Sequence, residues 1–195
     1  MWSAAILSGG QARRFGGRDK GALLVDGRSI RDRQLEALTA ITSDIMIVGG
    51  AHATPPPARV VTDTVPGRGP LGGLHAALSE AAGDATIVIA CDMPFVSAPL
   101  LDHLLTLTRD ADIVVPRDGR GYHPLCAAYT RACLAPAAAH LANGRLKMTD
   151  LFEELRVRVV TPEEIGVFGN PDRLLANVNT PAEYGGLDPI QGYQL

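Results

Sequence analysis

No run in this chain approaches the roughly 20 apolar residues that a membrane-spanning helix needs. Charge of one sign is also missing: 18 Lys and Arg against 21 Asp and Glu leave a net charge of −3. A protein that coats nucleic acid carries a basic excess, so that class is excluded and any basic patch is local, aimed at a small anion. Cysteine is scarce. Cys91, Cys126 and Cys133 show neither CxxC spacing nor an evident pairing, which points to reduced and mostly buried thiols. The N-terminal MWSAAILSGG has no basic segment ahead of its apolar residues and does not read as a signal peptide. His52, His75, His103 and His140 lack an HxxxH spacing, which argues against a zinc site. No GxSxG surrounds Ser8 or Ser97, which disfavours a hydrolase. What remains is a globular, cytoplasmic protein of 195 residues, 46% hydrophobic, without internal repeats.

Short apolar runs alternate with helix-like segments. Residues 2–8 (WSAAILS), 45–48 (IMIV), 59–62 (RVVT), 86–90 (TIVIA) and 112–116 (DIVVP) read as strands. Helices are expected over 29–41, 74–82 and 98–108, the first from apolar residues at Ile30, Leu35, Leu38 and Ile41. After Pro116 the pattern loosens. Residues 122–129 and 156–160 suit strands, the latter at an edge, 130–142 and 148–155 suit helices, and 181–186 a last helical turn. Such alternation predicts an α/β fold with a mostly parallel sheet covered on both faces. Residues 1–187 read as a single domain and 188–195 as a frayed tail.

Between the first strand and the first helix lies LSGGQARRFGGRDK, residues 7–20. In open α/β sheets ligands bind at the carboxyl ends of strands, where Ser8, Gly9 and Gly10 fall. Glycines there admit a ligand to the backbone N–H groups, and clustered N–H groups form anion sites. Arg13, Arg14 and Lys20 add positive charge suited to phosphate oxygens. The stretch is neither GxxxxGK[ST] nor GxGxxG, so a solvated loop stands as the alternative. A second feature is CDMP, residues 91–94, directly after TIVIA. A carboxylate at a strand end is a good ligand for a hard cation, and Mg²⁺ favours one or two carboxylates completed by phosphates and waters. Asp92 is the candidate; the competing reading, a helix N-cap, fits Ser97 before Pro99 better. Asp63, after the third strand, reads equally as a turn former. In GRGPLGG, residues 67–73, a Gly-Pro helix start presents N–H groups to an anion, or the glycines simply allow close packing. Asn177 and Asn179 in NVNTP share a face if the segment is extended, the alternative being a helix-capping turn.

The strap resembles the signature of the molybdenum cofactor guanylyltransferase family, matched by Leu7, Ser8, Gly9, Gly10, Arg14, Phe15, Gly16, Gly17, Asp19 and Lys20. CDMP and NVNTP follow in the family's order, and the likeness spans about residues 4–184. The resemblance implies a Rossmann-like nucleotidyltransferase fold and transfer of GMP from GTP to molybdopterin cofactor. It implies nucleotide contacts at Leu7, Ser8, Gly9, Gly10, Lys20, Asp63 and Asp92, catalysis by Arg14, Lys20 and Asp92, and Mg²⁺ on Asp92. It places Gly17, Gly69, Gly73, Arg145, Asn177 and Asn179 toward the pterin, with Lys147 in the same basic segment and His123 near the cleft. Cofactor-biosynthesis proteins and acceptor molybdoenzymes are the implied partners, with no nucleic acid and no membrane. One departure stands out: where the family often has Asn after the second strand, this chain has Val48, Gly49 and Gly50. A CTP-using cytidylyltransferase, a sugar-phosphate nucleotidyltransferase and a non-catalytic GTP- and pterin-binding module are the alternatives.

Overall fold

Strands β1 (Trp2–Leu7) and β6 (Ala85–Ala90) are nearly all apolar because layers of helix cover them from both sides. They lie at the middle of the sheet in parallel register, Trp2 opposite Ala85 and Leu7 opposite Ala90. The computed structural model describes residues 1–8, 20–49, 56–63, 65 and 67–178. On the other side of β1 come β4 (Ile45–Val48) and β5 (Arg59–Val61), both parallel. Beyond β6 lie β9 (Cys126–Thr130), β7 (Ile113–Asp118) and, at the far edge, β10 (Val157–Val160). β9 runs antiparallel to both neighbours, whereas β10 is parallel to β7. The mostly parallel sheet expected from the alternating pattern is thus present, with one reversed strand inside it.

Side-chain alternation along β1 divides the core. Ala4 and Ile6 face α1 (Ile30–Thr39) and α3 (Ala98–Thr106), while Ala5 and Leu7 face α2 (Gly69–Glu80) and α4 (Leu134–Ala142). Ser29 caps α1 by accepting a hydrogen bond from the Asp32 amide at 3.0 Å. α2 begins at Gly69, five residues before the apolar spacing predicts, because Pro70 in its first turn is pre-set for helical φ. Ser97 does occupy the N-cap of α3, but its Oγ makes no capping bond.

Several elements depart from the sequence reading. Residues 24–29 form a hairpin, β2 (Leu24–Val25) with β3 (Arg28–Ser29), around Asp26 and Gly27 at φ 49° and 74°. Positive φ at both central residues is what a two-residue type I′ turn requires, and Asp-Gly is its usual sequence. The stretch 122–129 splits into β8 (Gly121–Tyr122), paired with β7, and β9, because Pro124 has no N–H for a ladder. Residues 148–153 form a 3₁₀ turn, not an α-helix, and short helices α5 (Pro162–Gly166) and α6 (Pro171–Leu174) follow β10. The turn expected at 181–186 lies outside the described residues. Cys126 and Cys133 are wholly buried, and burial pushes both thiols up to about 12, so they are unreactive. Among the described residues no helix is long and apolar enough to cross a membrane.

Two tests of this packing follow. A Cβ on Gly83, in the turn before β6, would sit 2.5 Å from the Met1 carbonyl oxygen and 2.6 Å from the Trp2 carbonyl carbon. Backbone cannot yield as a side chain does, so Gly83→Ala should cost about 3 kcal/mol. Calorimetry should show a Tm lower by roughly 6–12 °C, and an unchanged Tm would contradict the packing. Asp44 ties the bottom of the sheet together: its Oδ2 accepts from Ser3 Oγ at 2.5 Å and from the Ala82 amide at 3.0 Å, and its Oδ1 from Arg59 at 3.3 Å. Burial pushes this carboxyl up, but Ser3, Ala82 and Arg59 together outweigh it and hold it below its ordinary value. A depressed folded value means that the stabilisation is present above the unfolded value of about 3.9 and fades as pH falls below it. Urea midpoints of wild type and Asp44→Asn should therefore differ at pH 7 and converge toward pH 3. A gap independent of pH would remove the charge from the explanation.

Candidate active site

The carboxyl ends of β1, β4, β5 and β6 form one rim of the sheet, and Leu7, Ser8, Lys20, Asp63, Gly73 and Asp92 lie along it. β1 ends in Leu7, whose carbonyl accepts from the Cys91 amide at 3.2 Å, and Ser8 donates its amide to Val48 at 2.9 Å. The first residue beyond β6 is therefore tied to the end of β1, and the first beyond β1 to the end of β4. Asp92 follows in that turn, 9% exposed. Lys20, which opens a 3₁₀ turn (Lys20–Ala22), donates from Nζ to Asp92 Oδ2 at 2.9 Å. Their side chains are 20% and 12% exposed, so the pair is largely sheltered from water. The two ends of the glycine strap, Ser8 and Lys20, thus stand at the same rim.

Only one oxygen of Asp92 is satisfied by this pair. Oδ1 is buried and has no hydrogen-bond partner among the described residues. A buried acceptor left unmade costs about 1–3 kcal/mol, so this atom suits a cation or a donor arriving with a ligand. A lone hard oxygen fits Mg²⁺, which takes one or two protein carboxylates and fills its remaining positions with phosphate and water. No group of three or more His, Cys, Asp or Glu among the described residues is placed to hold a metal, so substrate oxygens would have to complete the shell.

The turn that carries Asp92 is held from several directions. The Asp92 carbonyl accepts from the Val178 amide at 2.8 Å, which brings the segment containing Asn177 to the turn that carries the carboxylate. Val178 is itself buried with Val25 and Ile30, packed against Leu23 and Phe95. From α1, Gln34 donates its amide to the carbonyls of Ala90 at 2.7 Å and Met93 at 3.0 Å. Sequence reading missed Gln34. The signal was there: a polar residue in the apolar stripe of α1, with Ile30 four residues before it and Leu38 four after.

For Asp63 the structure shows the turn: Oδ1 accepts from the Val65 amide at 3.0 Å. A Cβ on Gly72 would come within 3.3 Å of that oxygen, and one on Gly73 within 3.3 Å of the Leu7 methyl carbons. The glycines of GPLGG thus let the start of α2 approach β1 and Asp63 closely. Gly69 begins α2 at φ 64°, and the helix has no side-chain cap, so its first N–H groups meet no side-chain acceptor of the cap residue Arg68. Arg145 lies beyond α4 within 3.4–3.7 Å of Asp150, Glu153 and Glu154. Its charge is shared among three carboxylates there.

His123 stands beside a carboxylate. Its Nε2 lies 3.0 Å from Asp118 Oδ2, which also receives Arg120 Nη2 at 2.6 Å. Burial pushes the Asp118 carboxyl up, yet Arg120 and His123 draw it well below the usual carboxylate range. Gly9, Gly10, Arg14, Gly17 and Asn179 lie outside the described residues.

Comparison with known proteins gives the site a context. The family model described as "MobA-like NTP transferase domain" matches residues 4–161. The chain is 35% identical over 185 residues to the molybdenum cofactor guanylyltransferase of Desulfosudis oleivorans, covering 91% of this chain and 90% of that one. It is 31% identical to the molybdenum cofactor guanylyltransferase of Vibrio cholerae, covering 96% and 93%. Among solved structures, molybdopterin-guanine dinucleotide biosynthesis protein A from Archaeoglobus fulgidus superposes with a TM-score of 0.81 at 25% identity, covering 97% of this chain and 98% of that one. A 2-C-methyl-D-erythritol 4-phosphate cytidylyltransferase from Thermus thermophilus, at 15% identity and a TM-score of 0.68 with 95% and 96% covered, shares the fold.

Proposed function

The chain belongs to the family of MobA-like NTP transferase domains and is a nucleotidyltransferase, and from that premise we propose that it transfers GMP from GTP to molybdopterin cofactor. An oxygen of the pterin's terminal phosphate attacks the α-phosphorus of GTP. The bond from that phosphorus to the β-phosphate oxygen breaks, releasing pyrophosphate and molybdopterin guanine dinucleotide. A phosphate monoester is ionised at neutral pH, with a second pKa of about 6, so the nucleophile needs no general base. Alignment and charge stabilisation then supply most of the rate.

The observation that carries this reading is the sheltered Lys20–Asp92 pair with its unsatisfied Oδ1 at the rim of the sheet. Lys20 would donate to phosphate oxygens of the triphosphate and offset the charge that builds on departing pyrophosphate. Asp92 would hold Mg²⁺ through Oδ1; when bound, the ion supplies further neutralisation of the phosphate charge. Ser8 and the glycines after it would offer backbone to the nucleotide, with Arg14 on the phosphates. Asp63 would contact the nucleotide through the oxygen its turn leaves over. The start of α2 with Gly69 and Gly73, together with Gly17, Arg145, Asn177 and Asn179, would face the pterin. The buried thiols of Cys126 and Cys133 fit a reducing compartment, so we place the reaction in the cytoplasm, with molybdoenzymes as recipients of the product.

One feature keeps a CTP-using reading in play. After β4 stands Gly49, at φ 75° with its amide donated to Val61, where relatives were expected to offer an asparagine. The test is to incubate the protein with molybdopterin, Mg²⁺ and each of the four nucleoside triphosphates in turn, and to follow pyrophosphate. GTP should be the productive substrate. Release with CTP and none with GTP would replace guanylyl by cytidylyl transfer, and binding without release would make the protein a carrier.

A further inference from the structure

We infer that Gln34 is a positioning residue for Asp92, acting from α1; the inference rests on the reading of Asp92 as the carboxylate that serves the nucleotide and its metal. Gln34 is fully buried, on a helix face otherwise filled by Ile30, Leu35, Ala37 and Leu38. Its amide nitrogen donates to the carbonyls of Ala90 and Met93, at 2.7 and 3.0 Å. Those carbonyls bracket the turn that carries Asp92, and the Met93 amide closes the same turn by donating to the Ala90 oxygen at 3.3 Å. Both N–H groups of one side chain are thereby committed to the two ends of a four-residue turn.

The amide is an expensive choice for mere packing. Its Oε1 is buried with no hydrogen-bond partner among the described residues. Leucine at this position would fill the space and remove that unmet oxygen, but it would take the Gln34 donor from the Met93 carbonyl. What the amide adds is a link between the carbonyls of residues 90 and 93, beside the bond from the Met93 amide to Ala90. That link helps set the direction in which the Asp92 side chain leaves the backbone. Cys91 bonded to Leu7 and Val178 bonded to the Asp92 carbonyl constrain the same turn from other sides. With all these restraints in place, Oδ2 meets Lys20 and Oδ1 meets no donor among the described residues. Groups that orient a metal-binding side chain commonly matter about 10–100-fold in metal affinity or activity.

The test compares wild type with Gln34→Leu, and with Gln34→Met, whose flexible side chain fills the same space if leucine disturbs folding. Three quantities are read: Tm, Mg²⁺ affinity in the presence of GTP by calorimetry, and amide hydrogen exchange along the chain. Steady-state transfer supplies kcat and KM for GTP. Expected are a folded variant, Mg²⁺ affinity and kcat each lower by about 10–100-fold, KM for GTP within about twofold, and faster exchange confined to residues 91–93. A lowered Tm with unchanged Mg²⁺ affinity and kcat would reduce Gln34 to packing and overturn the inference. Should wild type itself transfer no GMP, the proposed reaction fails while the calorimetric and exchange measurements still decide the role of Gln34. Exchange at residues 91–93 identical to wild type overturns it in either case.

Discussion

Asp92→Asn should lower kcat on the order of a thousandfold while the protein keeps its fold. Asparagine has nearly the shape of aspartate, so the Asp92 turn, bonded to Leu7, Gln34 and Val178 through main-chain atoms of its residues, stays intact. Two things are lost. The charge facing Lys20 at 2.9 Å disappears, and the anionic oxygen that would hold Mg²⁺ becomes a neutral one. The cost to stability should stay within about 1–3 kcal/mol, since in this sheltered pair the asparagine amide oxygen can still accept from the Lys20 ammonium. Steady-state transfer beside a thermal melt separates the two effects. Wild-type rates at saturating Mg²⁺ would take Asp92 out of the chemistry, and a collapsed melt would make it structural.

Lys20→Met is expected to raise KM for GTP by about 10–100-fold, corresponding to the loss of one charge-assisted hydrogen bond of about 1.5–3 kcal/mol. Methionine keeps the apolar stem and its packing against the rim while removing the ammonium. The effect should fall mostly on triphosphate binding, because Lys20 meets phosphates in both the ground state and the transition state. Calorimetric titration with GTP should show the same loss of affinity, and with GMP a much smaller one. Equal losses for GTP and GMP would assign Lys20 to the base, ribose or α-phosphate instead of the β- and γ-phosphates. Unchanged affinity for both would remove it from the site.

How far these roles could be read beforehand depends on the kind of interaction. β1, β4 and β6 were legible because strands buried on both faces are apolar throughout, a local property of the chain. The chemistry of Lys20 and Asp92 was legible as residue types in motifs, but their contact joins positions 72 residues apart and depends on tertiary folding. The β2–β3 hairpin escaped although Asp26-Gly27 announces it, since its two-residue strands are too short to show alternation. α2 was placed too late because Gly69, Gly72 and Gly73 interrupt the apolar period that marks a helix. Their reason is tertiary: each gives room to Asp63, Leu7 or the helix entry. Gln34 hid within the apolar stripe of α1, where its partners, two carbonyls on another element, leave no trace in local sequence.

The central claim is that GTP is cleaved between its α- and β-phosphates at this rim and its GMP passed to a pterin phosphate. It is tested most directly by running the reaction in parallel with GTP labelled at the α- or at the γ-phosphate, with molybdopterin and Mg²⁺. The account predicts that the α-label appears in molybdopterin guanine dinucleotide and the γ-label in pyrophosphate, in equal amounts. Label released as inorganic phosphate, or an α-label that never reaches the pterin, would contradict it.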